Sequence, residues 1–103
     1  MLFIIAQIHV LSDKISEANI DLNTLVTSTQ LEEGCLRYDL YEITESGDKF
    51  FLLEEWRDEK CFKKHLESQH IKEFNSSKKT WISGKIEINR VEKVSDKNDE
   101  KIY

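Results

Sequence analysis

Glu54-Glu-Trp-Arg-Asp-Glu-Lys-Cys-Phe-Lys-Lys-His-Leu-Glu-Ser-Gln-His-Ile-Lys-Glu-Phe74 joins the end of a strand to a pair of short helices, and this junction decides the fold. The carboxylate of Asp58 can accept the orphan amide hydrogens of a first helical turn, so a helix is expected to start there. Its apolar face is Phe62 and Leu66, with Cys61 and His65 on the flanks. Ser68 can cap again, and Ile71, Phe74 and Lys78 then share one side of a second helix. Immediately upstream, Phe50 to Trp56 is the second arm of a hairpin. Cys35 to Ile43 alternates Leu36, Tyr38, Leu40 and Glu42 against Arg37, Asp39, Tyr41 and Ile43, and Glu45-Ser46-Gly47-Asp48 makes the turn.

Further toward the N-terminus, Leu2 to Val10 is rich in β-branched residues. Ile4, Ala6, Ile8 and Val10 share one face, and Phe3, Ile5, Gln7 and His9 the other. Ser12 or Asp13 is placed to cap the helix that follows, in which Ile15, Ala18, Leu22, Leu25 and Val26 recur at helical spacing. Glu17, Asn19, Asp21 and Asn23 are expected toward water, and Gly34 breaks the chain after Glu32 and Glu33. Gly84 ends the helical region, and Ile86, Ile88 and Arg90 alternate along a last strand to about Val94. The order strand, helix, strand, strand, helix pair, strand predicts an α+β domain. It is the ferredoxin-like split βαβ arrangement, a four-stranded antiparallel sheet with helices on one face. Residues 1–94 form that domain, and the charged, aperiodic residues 95–103 are expected to be a mobile tail.

Composition narrows the class. A chain of 103 residues holds one core, and 39% apolar with 34% charged residues is ordinary for a globular protein. A net charge of −5, with basic residues interleaved among acidic ones, argues against a nucleic-acid partner. Cys35 and Cys61 are too few and too far apart for a disulfide scaffold or a zinc knuckle. The apolar opening lacks a basic leader and is too short to span a bilayer, so a cytoplasmic protein with no membrane partner is expected. The strands are apolar on both faces while helices cover only one, which predicts a homodimer through the open face of the sheet.

Two of the three histidines, His65 and His70, fall close to Glu54 and Trp56. Imidazole titrates near neutral pH, so these residues are the candidate proton-handling groups. The competing reading is that both histidines only cover the helix junction and that Glu54 pairs with Arg37 or Arg57. As metal ligands the histidines are poorly spaced. Five residues apart on one helix they would point about 140° away from each other, and only a bend at Ser68 would bring them together. No third ligand is evident, and no metal is expected.

Glu33-Gly34-Cys35-Leu36-Arg37-Tyr38-Asp39-Leu40, Glu54-Glu55-Trp56-Arg57-Asp58 and His65-Leu66-Glu67-Ser68-Gln69-His70, in that order, resemble the antibiotic biosynthesis monooxygenase family, in particular its small quinol-monooxygenase-like members. The resemblance covers residues 1–94. It implies a dimeric ferredoxin-like fold with a pocket between sheet and helices. For several members it also implies oxygenation of a phenol or quinol by molecular oxygen without metal, flavin or haem. On that reading His65 or His70 is the base, Glu54 orients an imidazole or takes the proton itself, and Tyr38 or Tyr41 donates a hydrogen bond. Trp56, Phe62, Phe74 and Trp81 are the flat apolar walls that bind a small aromatic or quinol-like substrate. The haem-degrading branch is poorly matched, because its asparagine, tryptophan and histidine fall at Gln7, His65 and Asn75 here. Two other functions fit the same residues: an isomerase or epimerase of a small hydroxy-ketone, and a non-catalytic dimeric module for small hydrophobic molecules.

Overall fold

A computed structural model describes residues 1–94. The predicted tail, 95–103, lies outside the described residues. Four strands and three helices follow in chain order: β1 (Leu2–His9), α1 (Ile15–Gln30), β2 (Cys35–Glu42), β3 (Lys49–Trp56), α2 (Glu59–Leu66), α3 (Gln69–Ser77) and β4 (Glu87–Val91). A short 3-10 turn, Lys78–Thr80, extends α3. The sheet runs β2-β3-β1-β4 and every pairing is antiparallel, as the ferredoxin-like order predicts. The two inner strands are the two most apolar segments of the chain.

Alternation along the inner strands fixes which side is buried. Ile4, Ala6 and Ile8 of β1, with Phe50, Leu52, Glu54 and Trp56 of β3, face the helices and are buried. Ala18, Leu22 and Leu25 of α1 complete that layer, and Trp81 and Phe74 close one end. Phe3, Ile5, Phe51 and Leu53 lie on the opposite, open face and are only half-buried.

Several local expectations are corrected. Neither Ser12 nor Asp13 caps α1: the N-cap is Lys14, which makes no side-chain cap bond. Asp21 is not turned to water, because it accepts a 2.7 Å hydrogen bond from Trp81 Nε1. Leu66 is exposed, and the buried face of α2 is Cys61, Phe62 and His65. A bulge between Cys35 and Arg37 shifts the first residues of β2 against β3, so strict alternation fails there. The helix starts at Asp58 and Ser68 stand as expected, with Asp58 accepting from the Cys61 amide and Ser68 from the Ile71 amide.

Gly34 links the two halves of the fold. Its φ of +80° belongs to the left-handed region, and a Cβ built there would stand 2.3 Å from Cys61 Sγ. The chain leaving α1 therefore runs directly against α2. The Gly34 carbonyl accepts from the Arg57 amide at 2.8 Å, which fixes the crossing.

Candidate active site

Glu54 and Trp56 are two residues apart on β3, so both side chains enter the interior, where Trp56 Nε1 donates to Glu54 Oε1 at 3.0 Å. Neither Arg37 nor Arg57 pairs with this carboxylate: Arg57 meets Glu33 and Arg37 meets Asp39. Burial pushes the Glu54 carboxyl up to about 7, the Trp56 hydrogen bond opposes the rise, and the charge of Glu32 adds to it. A carboxyl in that range is part protonated and part ionised at neutral pH, which suits proton transfer.

Across from it stands His65 on α2, only 2% exposed, with its ring against Trp56 (centroids 4.8 Å apart) and Tyr38 (5.5 Å). The break between α2 and α3 at Ser68 turns the two histidines toward a common point, the geometry that helical spacing alone had excluded. The common point is Glu32, at the end of α1. Its Oε2 lies 2.7 Å from His65 Nδ1 and 2.5 Å from His70 Nε2. A carboxylate only accepts, so each of these nitrogens carries a proton. His65 is left with Nε2 as its lone-pair nitrogen, on a ring that lines the cavity described below. Burial lowers the pKa of His65 and Glu32 raises it, with burial the larger influence, so the ring is neutral and able to accept a proton.

Glu32 is the residue that sequence reading missed. It precedes Gly34, which marks where the chain leaves α1, but nothing local shows which element that break leans on.

Glu32, His65 and His70 also offer three ligand atoms within 4.8 Å of one another, so the third ligand thought lacking does exist. In the structure, one carboxylate oxygen touches both rings at hydrogen-bond distance. The arrangement is that of a hydrogen-bonded triad.

The cavity, about 450 Å³, lies between the sheet and α2–α3. Of the residues expected at the site, Glu54, His65, Tyr38, Phe62 and Phe74 line it. The remaining four do not. His70 is on the far side of Glu32 and borders a separate shallow cleft with Asp21 and Glu73. Trp56 is wholly buried behind Glu54, and Trp81 is wholly buried where it donates to Asp21. Tyr41 stacks on Phe51 on the open face of the sheet. The indoles hold the site's shape from behind because a strand or turn aims each into the core. Tyr38, kept protonated by burial and by the nearby Glu54, remains a hydrogen-bond donor. The Cys61 thiol is pushed up mainly by burial, which makes it an inert packing group rather than a nucleophile.

This fold and this site define a class. A family model described as antibiotic biosynthesis monooxygenase matches residues 1–77, and the chain belongs to that family. Among individual relatives, the Bacillus subtilis (strain 168) protein named "Putative monooxygenase YcnE" is 33% identical over 92 residues, which cover 89% of this chain and 97% of that one. A conserved protein of Methanosarcina mazei Go1, solved by crystallography, superposes with a TM-score of 0.83 at 30% identity, covering 89% of this chain and 91% of the other. PA3566 of Pseudomonas aeruginosa gives 0.85 at 24% identity over 91% of this chain and 94% of its own, a likeness of fold alone. No described helix is long and apolar enough to cross a membrane.

Proposed function

We propose that this protein is a homodimeric monooxygenase that oxidises a small electron-rich aromatic, of the phenol, quinol or anthrone kind, with molecular oxygen and no metal, flavin or haem. One observation carries the reading: a neutral His65 and a buried Glu54 poised near pH 7 lie at one end of an apolar cavity. Family membership and the name carried by YcnE support it.

Deprotonating an anthrone or quinol makes it a far stronger reductant of oxygen, so a placed base substitutes for a cofactor. His65 Nε2 takes the proton, and Glu32 holds the ring and its resulting charge. The carbanion gives its electrons to oxygen and a carbon–oxygen bond forms. The protonated form of Glu54 and the Tyr38 hydroxyl donate hydrogen bonds to the developing peroxide. For an anthrone methylene the electrons balance: two C–H bonds are replaced by a carbonyl, one oxygen atom enters the product and the other leaves as water. No external reductant is needed. Phe62 and Phe74 offer flat apolar walls to the bound ring.

Oxygen uptake by the purified protein with a panel of hydroquinones and anthrones tests this. Uptake above buffer is expected, falling by about 10²–10⁴-fold in His65→Gln. A flat response across the panel, or an unchanged His65→Gln rate, would sink the proposal. The isomerase reading shares the same proton-moving pair but needs no oxygen. Deuterium uptake from solvent into a hydroxy-ketone under argon would favour it instead.

A further inference from the structure

We propose that the substrate carries an anionic group, a carboxylate in the simplest case, at the end opposite the hydroxyl or acidic carbon that meets His65 and Glu54. The inference rests on the functional reading above for which end of the cavity reacts, and it adds what the other end recognises.

The cavity is polar at its two ends and apolar between them. Its titratable lining residues are Tyr38, Glu54, His65, Lys78 and Lys85. The two lysines stand away from the acid–base pair. His70 of the triad lies in the first turn of α3, and Lys78 directly follows the last residue of that helix. The eight-residue step between them rises roughly 12 Å at helical pitch. From there Ile82 bridges Val10, just beyond the end of β1, and the Ser83 amide donates to the His9 carbonyl. Lys85 is thereby placed just before β4, whose Glu87 pairs with Gln7. Glu54, by contrast, pairs with Ile4, near the start of β1. The lysines thus stand at the opposite end of the sheet from Glu54. Between the ends the lining is Ala6, Ile8, Leu52, Phe74 and Ile88, which offers an extended organic molecule nothing to hydrogen-bond.

Neither lysine is neutralised by a described residue. Among the described residues, no carboxylate lies within ion-pair distance of Lys78 or Lys85, although the chain has more acidic than basic residues. Lys78 Nζ donates, among the described residues, to the amide oxygen of Asn75, at 2.8 Å, and lies 5.9 Å from the centre of the Phe74 ring. Burial, and secondarily Lys79, pulls its pKa down, so this ammonium is held partly out of water with no counter-charge among the described residues. A ligand anion placed there restores the missing charge. A neutral ligand of the same shape leaves the ammonium desolvated.

Equilibrium titration under argon, so that nothing turns over, separates binding from chemistry. The probes are 4-hydroxycinnamate and its methyl ester, flat molecules of matched length that differ in the charge at one end. The wild type is expected to bind the acid at least tenfold more tightly than the ester. Raised salt should shrink that preference, and a Lys78→Gln, Lys85→Gln double variant should abolish it while ester affinity stays the same. Equal affinity for acid and ester, or a preference that survives in the double variant, would overturn the inference, as would failure of both probes to bind at millimolar concentration. Anion preference without oxygen uptake on any panel member would leave this inference standing and remove the oxygenase reading. Oxygen uptake with no anion preference would do the reverse.

Discussion

Glu54 is the residue at which stability and the proposed chemistry pull in opposite directions. Its carboxyl titrates ordinarily at 4.5 and is raised by burial to about 7 in the folded chain. Below pH 4.5 both folded and unfolded chains are protonated there and the group costs nothing. Between 4.5 and 7 the unfolded chain releases its proton while the folded one keeps it, so stability falls as pH rises and reaches its full deficit above pH 7. The shift corresponds to about 3 kcal/mol. Glu54→Gln is therefore expected to be more stable than the wild type at pH 8, and nearly equal to it at pH 4.5, in urea unfolding. A wild type whose advantage over the variant grows with pH would mean that Glu54 is held as a charged structural group. Glu54 and His65 were visible in the sequence because the chain has only three histidines and an acid two residues from an indole at a strand end. Glu32 was not visible. Its role depends on a crossing of elements more than thirty residues apart, which no local pattern records.

At the scale of elements, the site is a product of how α1 ends. The helix runs out at Gln30, and Gly34 then passes so close to α2 that only a hydrogen fits against Cys61. Glu32 reaches both histidines because of that approach. Gly34→Ala combines a left-handed φ with a Cβ inside the sulfur's radius, and should destabilise by about 2–5 kcal/mol. Trimming the sulfur in Gly34→Ala, Cys61→Ala should recover part of the loss. A denaturation midpoint unchanged in the single variant would mean that the two elements do not meet in solution. Most elements were legible because period two and period 3.6 are written in the apolar residues: Leu22 and Leu25 lie on the stripe that the spacing marked, and both are buried. The misplaced features were those that tertiary contacts decide. Asp21 reads as a solvent residue until Trp81, sixty positions away, donates to it. Leu66 fits the helical stripe, yet α2 is rotated so that His65 takes the buried place.

On the scale of the whole molecule, the helices cover one face of the sheet and leave the other with Phe3, Ile5, Phe51, Leu53 and Tyr41. The register gathers them: Ile5 faces Leu53, and Phe51 faces both Gln7 and Tyr41. A contiguous apolar group of this kind is what a two-fold partner covers. Sedimentation equilibrium at micromolar concentration should give twice the 12.2 kDa chain mass, and Phe51→Asp should abolish that association. A mass of one chain for the wild type would refute the homodimer. Phe50, its neighbour on β3, points into the helix-facing core, so a charge there damages the fold itself rather than the association.

The central claim, that His65 and Glu54 direct molecular oxygen onto a bound aromatic, is tested most directly by turning over an anthrone from the panel under ¹⁸O₂ and weighing the product. The account predicts one ¹⁸O atom in the new carbonyl of each product molecule, with the second label in water. Product formed without label, or no product beyond the buffer reaction, would contradict it.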